Sequence, residues 1–256
     1  MSDQTPEIFT EEIDTLRGGA DADTFTLRNN SDQLNVLLLT PPATHQGSSQ
    51  AEEMLGTEEN DVMYGRQGND TISSFTGDDF LNGELGDDLL FAGRNNDILI
   101  GDSGEDTMFG DRGEDTLYGG SAGDVMFGNN EDDTVFGDRG DDTIYGGQGD
   151  DELTGGTGSD LILGDRGEDT LTGITGRGKG YTLIEDFDPQ EDTIQLVGNA
   201  DTYELVDTGD IETNSSVNLP SGTGIIYEDS DGSKELIAVI EGDTSLDLNA
   251  NYFDFF

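Results

Sequence analysis

The chain has no cysteine, one histidine and only ten Lys or Arg residues in 256. Without cysteine, disulfides and thiol chemistry are excluded. With a single His45, a Ser–His nucleophile system and a zinc protease site have almost no material. His45 lies in the Pro41–Gly47 stretch, which reads as a polar loop, so a solvated histidine is expected there. The scarcity of bases makes nucleic acid and anionic membrane surfaces poor partners. The longest apolar run, Val36–Leu39, is far too short to span a bilayer. Residues 1–30 lack the basic and apolar regions of a Sec-type signal peptide. Gly101-Asp102-Ser103 superficially resembles an esterase motif, but a regular repeat explains it better. No catalytic constellation emerges, and the expectation is a non-enzymatic protein.

What the chain does have is acid: 58 Asp and Glu, for a formal charge of −48. Such self-repulsion opposes any compact state unless counter-ions bind. A disordered acidic chain is one alternative, but 38 glycines and a regular apolar pattern argue for a fold completed by cations. The decisive feature is an Asp at every ninth residue: Asp61, Asp70, Asp79, Asp88, Asp97, Asp106, Asp115, Asp124, Asp133, Asp142, Asp151, Asp160 and Asp169. With Gly56 as position 1, thirteen nonapeptides run to Thr172, and Gly178 stands where the next Asp is due. Position 1 is Gly except at Ser74 and Ala92, position 4 is mostly Gly, and position 8 is always apolar, from Met63 to Leu171. Each unit reads as a six-residue Gly- and Asp-rich turn followed by a three-residue strand with its middle side chain inward. Glycine permits positive φ and lets the backbone crowd an ion, while carboxylates and turn carbonyls are the oxygen donors that Ca²⁺ prefers.

Units such as Gly65–Ser73, Gly110–Tyr118 and Gly137–Tyr145 resemble the hemolysin-type, or RTX, calcium-binding repeat. The resemblance implies an all-β fold, a parallel β-roll solenoid with two repeats, hence 18 residues, per coil. It also implies Ca²⁺ between stacked turns, held by the position-6 Asp residues and by carbonyls near positions 1 to 4. The candidate metal residues are therefore the thirteen Asp above with Gly65, Gly83, Gly101, Gly110, Gly119, Gly137, Gly146 and Gly155. Glu59, Asn95, Ala122 and Glu131 replace the position-4 glycine, which predicts strained turns or weaker calcium binding.

Gly-Asp-Arg-Gly recurs at 110, 137 and 164, a period of 27. Duplication of a three-repeat cassette explains it, and a three-sided coil is the alternative. Arg112, Arg139 and Arg166 are expected to pair with nearby turn acids. With two-repeat coils, Phe91, Phe109, Phe127, Tyr145 and Leu163 share one outward face. Such a ladder reflects strand propensity, is covered by residues 181–256, or meets a protein partner.

Three segments follow: residues 1–55 as an N-terminal cap with one stray repeat at Gly18–Thr26, residues 56–178 as the roll, and residues 179–256 as a small C-terminal β cap. The segment Leu183–Leu196 resembles one that closes many RTX arrays. The tail Asn251-Tyr-Phe-Asp-Phe-Phe256 is similar to signals of RTX proteins exported by type I secretion, which implies an extracellular or cell-surface location. The expected role is calcium binding by a secreted protein that folds when calcium is bound, or else a surface protein using its aromatic face. Ice binding is disfavoured because positions 3 and 5 form no regular grid.

Overall fold

The computed structural model describes residues 36–38, 44–174, 181–211, 219–230, 232–242 and 246–256. The stray repeat and Gly178 lie outside them. Two sheets face each other. One has twelve strands and the other ten, and successive strands alternate between them from Val36–Leu38 to Thr193–Leu196. Within the repeats, neighbours in a sheet are parallel and offset by 18 residues, as in Leu90↔Met108, Met108↔Met126 and Met126↔Ile144. The coil is therefore two-sided. A period of 27 is one and a half coils, so Arg139 sits on the opposite sheet from Arg112 and Arg166. The recurrence therefore marks no third wall.

The strands are longer than three residues. A typical one, Thr107–Arg112, runs from position 7 through position 3 of the next unit. Two side chains per strand turn inward: Met108 at position 8 and Gly110 at position 1 are both buried. Ladder pairing skips position 1, and position 2 takes positive φ, at 73° for Asp111 and 85° for Asn129. This left-handed residue bends the strand at the corner of the coil. Asp and Asn tolerate that region best among residues with a Cβ. Nine of the thirteen position-2 residues are Gly, Asp or Asn.

The core is two facing columns. Met54, Ile72, Leu90, Met108, Met126, Ile144, Ile162 and Ile184 make one; Met63, Leu81, Leu99, Leu117, Val135, Leu153, Leu171 and Ile194 make the other, all at most 1% exposed. Each such side chain contributes roughly 1.5–3 kcal/mol by burial. The core is only two side chains thick, so neither sheet can hold without the other.

The sheets extend beyond the regular repeats at both ends. Thr44–Gln46 pairs with Val62–Tyr64, and Glu53–Leu55 pairs with Thr71–Ser73. His45 thus occupies a position-8 slot beneath Met63 and is 1% exposed, so the expectation of a solvated loop histidine was wrong. The alternation around it, exposed–buried–exposed, puts it on the inner face of a strand too short to recognise from sequence. At the other end Thr182–Glu185 and Thr193–Leu196 continue the two sheets in parallel. The strand Lys234–Glu241 then adds to the first sheet, followed antiparallel by Gly222–Glu228 and Tyr203–Asp207, and Phe253–Phe255 ends the second.

A ladder of buried carboxylates as a candidate metal centre

Position 6 lies at the inner edge of each turn, just before the strand begins. All thirteen Asp residues of the comb are buried, none more than 3% exposed. The 18-residue coil stacks alternate members directly over one another, and from Asp79 to Asp169 each Oδ1 accepts a hydrogen bond from the backbone N–H of the Asp one coil earlier. Asp61 N donates to Asp79 Oδ1 at 2.7 Å, Asp97 N to Asp115 Oδ1 at 2.8 Å, and Asp133 N to Asp151 Oδ1 at 2.8 Å. Toward the C-terminal end the bonds lengthen, reaching 3.1 Å at Asp142–Asp160.

The second oxygen is left over. In eleven of the residues, from Asp70 to Asp160, Oδ2 is buried without a hydrogen-bond partner. A buried carboxylate oxygen without a donor is costly, and one such atom in every turn calls for a cation or a proton. The space beside it has a defined shape. A Cβ added to Gly119 would lie 2.5 Å from Asp124 Oδ2 and 2.8 Å from Gly137 O; one on Gly65 would lie 2.6 Å from Asp70 Oδ2 and 2.8 Å from Gly83 O. At Gly137 both Asp142 Oδ2 and Gly155 O would be 2.5 Å away. Thus the missing side chain at position 1 leaves a cradle where one carboxylate oxygen and one carbonyl oxygen of the next coil converge. Oxygen-only donors suit a hard cation such as Ca²⁺.

Gly65, Gly101, Gly110, Gly119, Gly137 and Gly146 each present this carboxylate–carbonyl pair, while Gly83 and Gly155 lie against the carboxylate of Asp88 and Asp160 respectively. Gly128, absent from the candidate residues, has the same surroundings: Asp133 Oδ2 and, at 2.7 Å, Gly146 O. Its omission had no structural basis, since it occupies position 1 like the others. Among the described residues no three acidic or His side chains converge on one point. The donors are instead one side chain and main chain.

The electrostatics agree. Burial is the leading cause that pushes the Asp97 and Asp133 carboxyls up to about 8, with repulsion from Asp residues one coil away adding to it. Burial likewise carries Asp106, Asp115, Asp142 and Asp151 to about 7, and Asp70, Asp124 and Asp169 to about 6. Without a cation, these groups resist ionisation in the fold. His45 Nε2 is 3.6 Å from Asp61 Oδ1, and burial lowers the imidazole's pKa against the pull of that carboxylate.

A second ladder runs outside the first. Position-5 side chains accept from backbone N–H groups of the next coil: Asp87 Oδ1 from Glu105 N at 3.0 Å, Asp132 Oδ1 from Asp150 N at 2.8 Å, and Asp141 Oδ1 from Ser159 N at 2.8 Å. Position 4 carries the turn's other positive φ. Gly104 has 142°, whereas Asn95, Ala122 and Glu131 hold 76°, 89° and 71°.

A model of the RTX calcium-binding nonapeptide repeat matches residues 10–35 and, in overlapping copies, 55–176, more than half of the chain. This chain belongs to the RTX calcium-binding repeat family. The family's repeats bind Ca²⁺, and here the cradles recur at the RTX period. No curated protein matches the chain. Among solved structures it is similar to the AlgE6R3 subunit of the Azotobacter vinelandii mannuronan C5-epimerase. That match has 25% sequence identity over 51% of this chain and 77% of the other, and a TM-score of 0.38.

Two further expectations fare differently in this RTX roll. Arg112, Arg139 and Arg166 form no ion pair with turn acids: among the described residues the ion pairs are those of His45 and Lys234. Position 3 points its long side chain into solvent, where pairing gains little. The outer aromatics stack in register. Ring centroids are 5.0 Å apart for Phe91–Phe109, 4.8 Å for Phe109–Phe127 and 4.7 Å for Phe127–Tyr145, with planes within 8°.

Proposed function

We propose that the protein is an extracellular, non-enzymatic calcium-binding roll whose repeat region folds when calcium binds. The observation that carries this reading is the column of eleven buried, unpartnered Oδ2 atoms. Each cation takes Oδ2 of a position-6 Asp and the position-1 carbonyl of the following coil, with the comb from Asp61 to Asp169 and the position-1 glycines, Gly128 included, as ligands. Remaining ligands come from turn carbonyls and water. Calcium neutralises the buried carboxylates and screens a net charge of −48, two terms that oppose folding in its absence.

Intracellular calcium is too low to saturate sites of extracellular affinity, about 10⁻⁴–10⁻³ M, so the chain would leave the cell extended and fold outside. The tail Asn251–Phe256 would be the export signal. Phe253 is buried and paired with Ile194 in the fold, so the signal is readable only before folding. Calcium titration followed by far-ultraviolet circular dichroism tests the reading. A β signal unchanged after chelation at neutral pH overturns it. Removal of residues 251–256 should trap the protein inside the producing cell.

A further inference from the structure

One coil departs from the repeat in three ways at once. At position 1 it has Ser74, followed one coil later by Ala92, so Cβ atoms stand where other turns leave the cradle open. Ser74 Oγ also donates to Ala92 O at 2.9 Å, which occupies a carbonyl that a cation would use elsewhere. At position 2 it has Phe75, an aromatic with φ 77° and 49% exposure, where Gly, Asp or Asn is usual. Bulky residues rarely adopt that region, and strain of this kind concentrates at binding sites. At position 9 it has Ser73, register partner of Phe91, so the aromatic stack stops and the outer face of the Phe91 ring has no aromatic neighbour on that side.

Ser74 itself is buried, but the other two departures, Ser73 and Phe75, line one open groove of about 390 Å³ with Phe91, Arg94, Asp111 and Arg112. Arg94 and Arg112 are register partners on adjacent strands. Both are exposed, and neither has a carboxylate within ion-pair distance among the described residues. Two adjacent guanidiniums outnumber Asp111, the one acid in the lining, so the groove is locally basic on a chain of charge −48. Guanidinium forks match carboxylates bidentately, which calls for an anionic group on the ligand. The aromatic walls call for a flat apolar face. Asp111 calls for hydroxyl or amide donors and repels a ligand that offers acceptors alone. A ring with an apolar face, several hydroxyls and a carboxylate meets all three requirements.

We propose that this groove binds an acidic saccharide, with a sugar ring against Phe75 and Phe91, its carboxylate on Arg94 and Arg112, and hydroxyls donated to Asp111. The coil with the most obstructed metal cradle is thus the one adapted to a second ligand. The scaffold is the calcium-loaded roll proposed above, and the site itself needs no cation.

Calorimetric titration of the full, calcium-loaded chain with trigalacturonate tests this, with maltotriose as the neutral sugar and triglutamate as the acidic peptide. Saturable binding of trigalacturonate alone is expected. The double variant Arg94→Gln/Arg112→Gln should weaken it about tenfold or more, as should Ser73→Phe, which extends the stack and fills the groove while keeping both arginines. Arg139→Gln, on the opposite sheet, should leave binding unchanged. The proposal is overturned if trigalacturonate does not bind, if maltotriose or triglutamate binds as well, or if the double variant retains affinity, the result that calcium bridging between sugar and turn acids would produce. Circular dichroism of the same samples keeps this failure distinct from loss of calcium-dependent folding.

Discussion

The repeat region and the C-terminal segment continue the same two sheets, yet they satisfy their buried groups differently. From Asp70 to Asp160 every coil buries a carboxylate with one oxygen unpartnered. Beyond it, Asp192 takes the next place in the ladder and accepts on both oxygens: Oδ1 from Asp169 N at 3.2 Å and Oδ2 from Asp188 N at 2.7 Å. The apolar packing differs too. The repeats supply one large buried side chain per nine residues, whereas Ile237, Ala238, Val239 and Ile240 are consecutive and all buried. The antiparallel strands Gly222–Glu228 and Lys234–Glu241 close locally, whereas each parallel pair in the roll must close an 18-residue loop. A solenoid end can therefore be built from self-sufficient pairing, and its middle cannot.

Removing calcium should break this comparison most visibly. At pH 8, chelation is expected to abolish amide-exchange protection across residues 61–172 while Gly222–Glu241 keeps part of it, as read by mass spectrometry. Simultaneous loss everywhere would show one cooperative unit. Protons should partly replace calcium. Carboxyls with folded-state pKa raised to about 6–8 hold protons that the unfolded chain, titrating near 4, releases. The cation-free fold is therefore most stable below about pH 4 on this account and loses stability as pH rises from about 4 to 8. Acidifying the chelated protein from pH 8 to 5 should raise its β signal, and calcium affinity should fall over the same range.

Single substitutions sharpen the contrast. Asp115→Asn should remove one bound calcium and about 1.5–3 kcal/mol of stability at calcium ten to a hundred times Kd, because a neutral amide replaces the anionic ligand. Asp192→Asn should leave the calcium stoichiometry unchanged. Gly119→Ala places a methyl in the cradle and should also lose one calcium, whereas Gly242→Ala, with nothing within 4 Å but φ 87°, should cost about 1 kcal/mol and no calcium. Ala122→Gly has the smallest expected effect: it relieves a φ of 89° and should raise thermal stability by up to about 1 kcal/mol.

Much of the roll was legible because two periodic constraints coincide. Asp at position 6 and an apolar residue at position 8 must recur together if identical turns stack, so Met63 to Leu171 could be placed inward without coordinates. The irregular members were not legible. His45 fills a core slot with no apolar signal, and Asp192 joins the ladder 23 residues after Asp169, where no nine-residue count would find it. Strand length was misjudged because position 1 is Gly: a buried residue without a side chain leaves no hydrophobic mark. Position 5 looked irregular because Asn and Asp share one hydrogen-bonding role while differing in charge.

The sequence by itself determined the repeat, its family and the chemistry of its ligands, because each turn carries the same local code of glycine for positive φ and Asp for oxygen. Only the tertiary structure decided which coils lie over one another. Stacking at 18 residues makes the cradle from two separate turns, brings Asp N–H to Asp Oδ1, and places Arg139 away from Arg112. Those are contacts between residues that no local code connects, and they exist only once the chain has closed a coil.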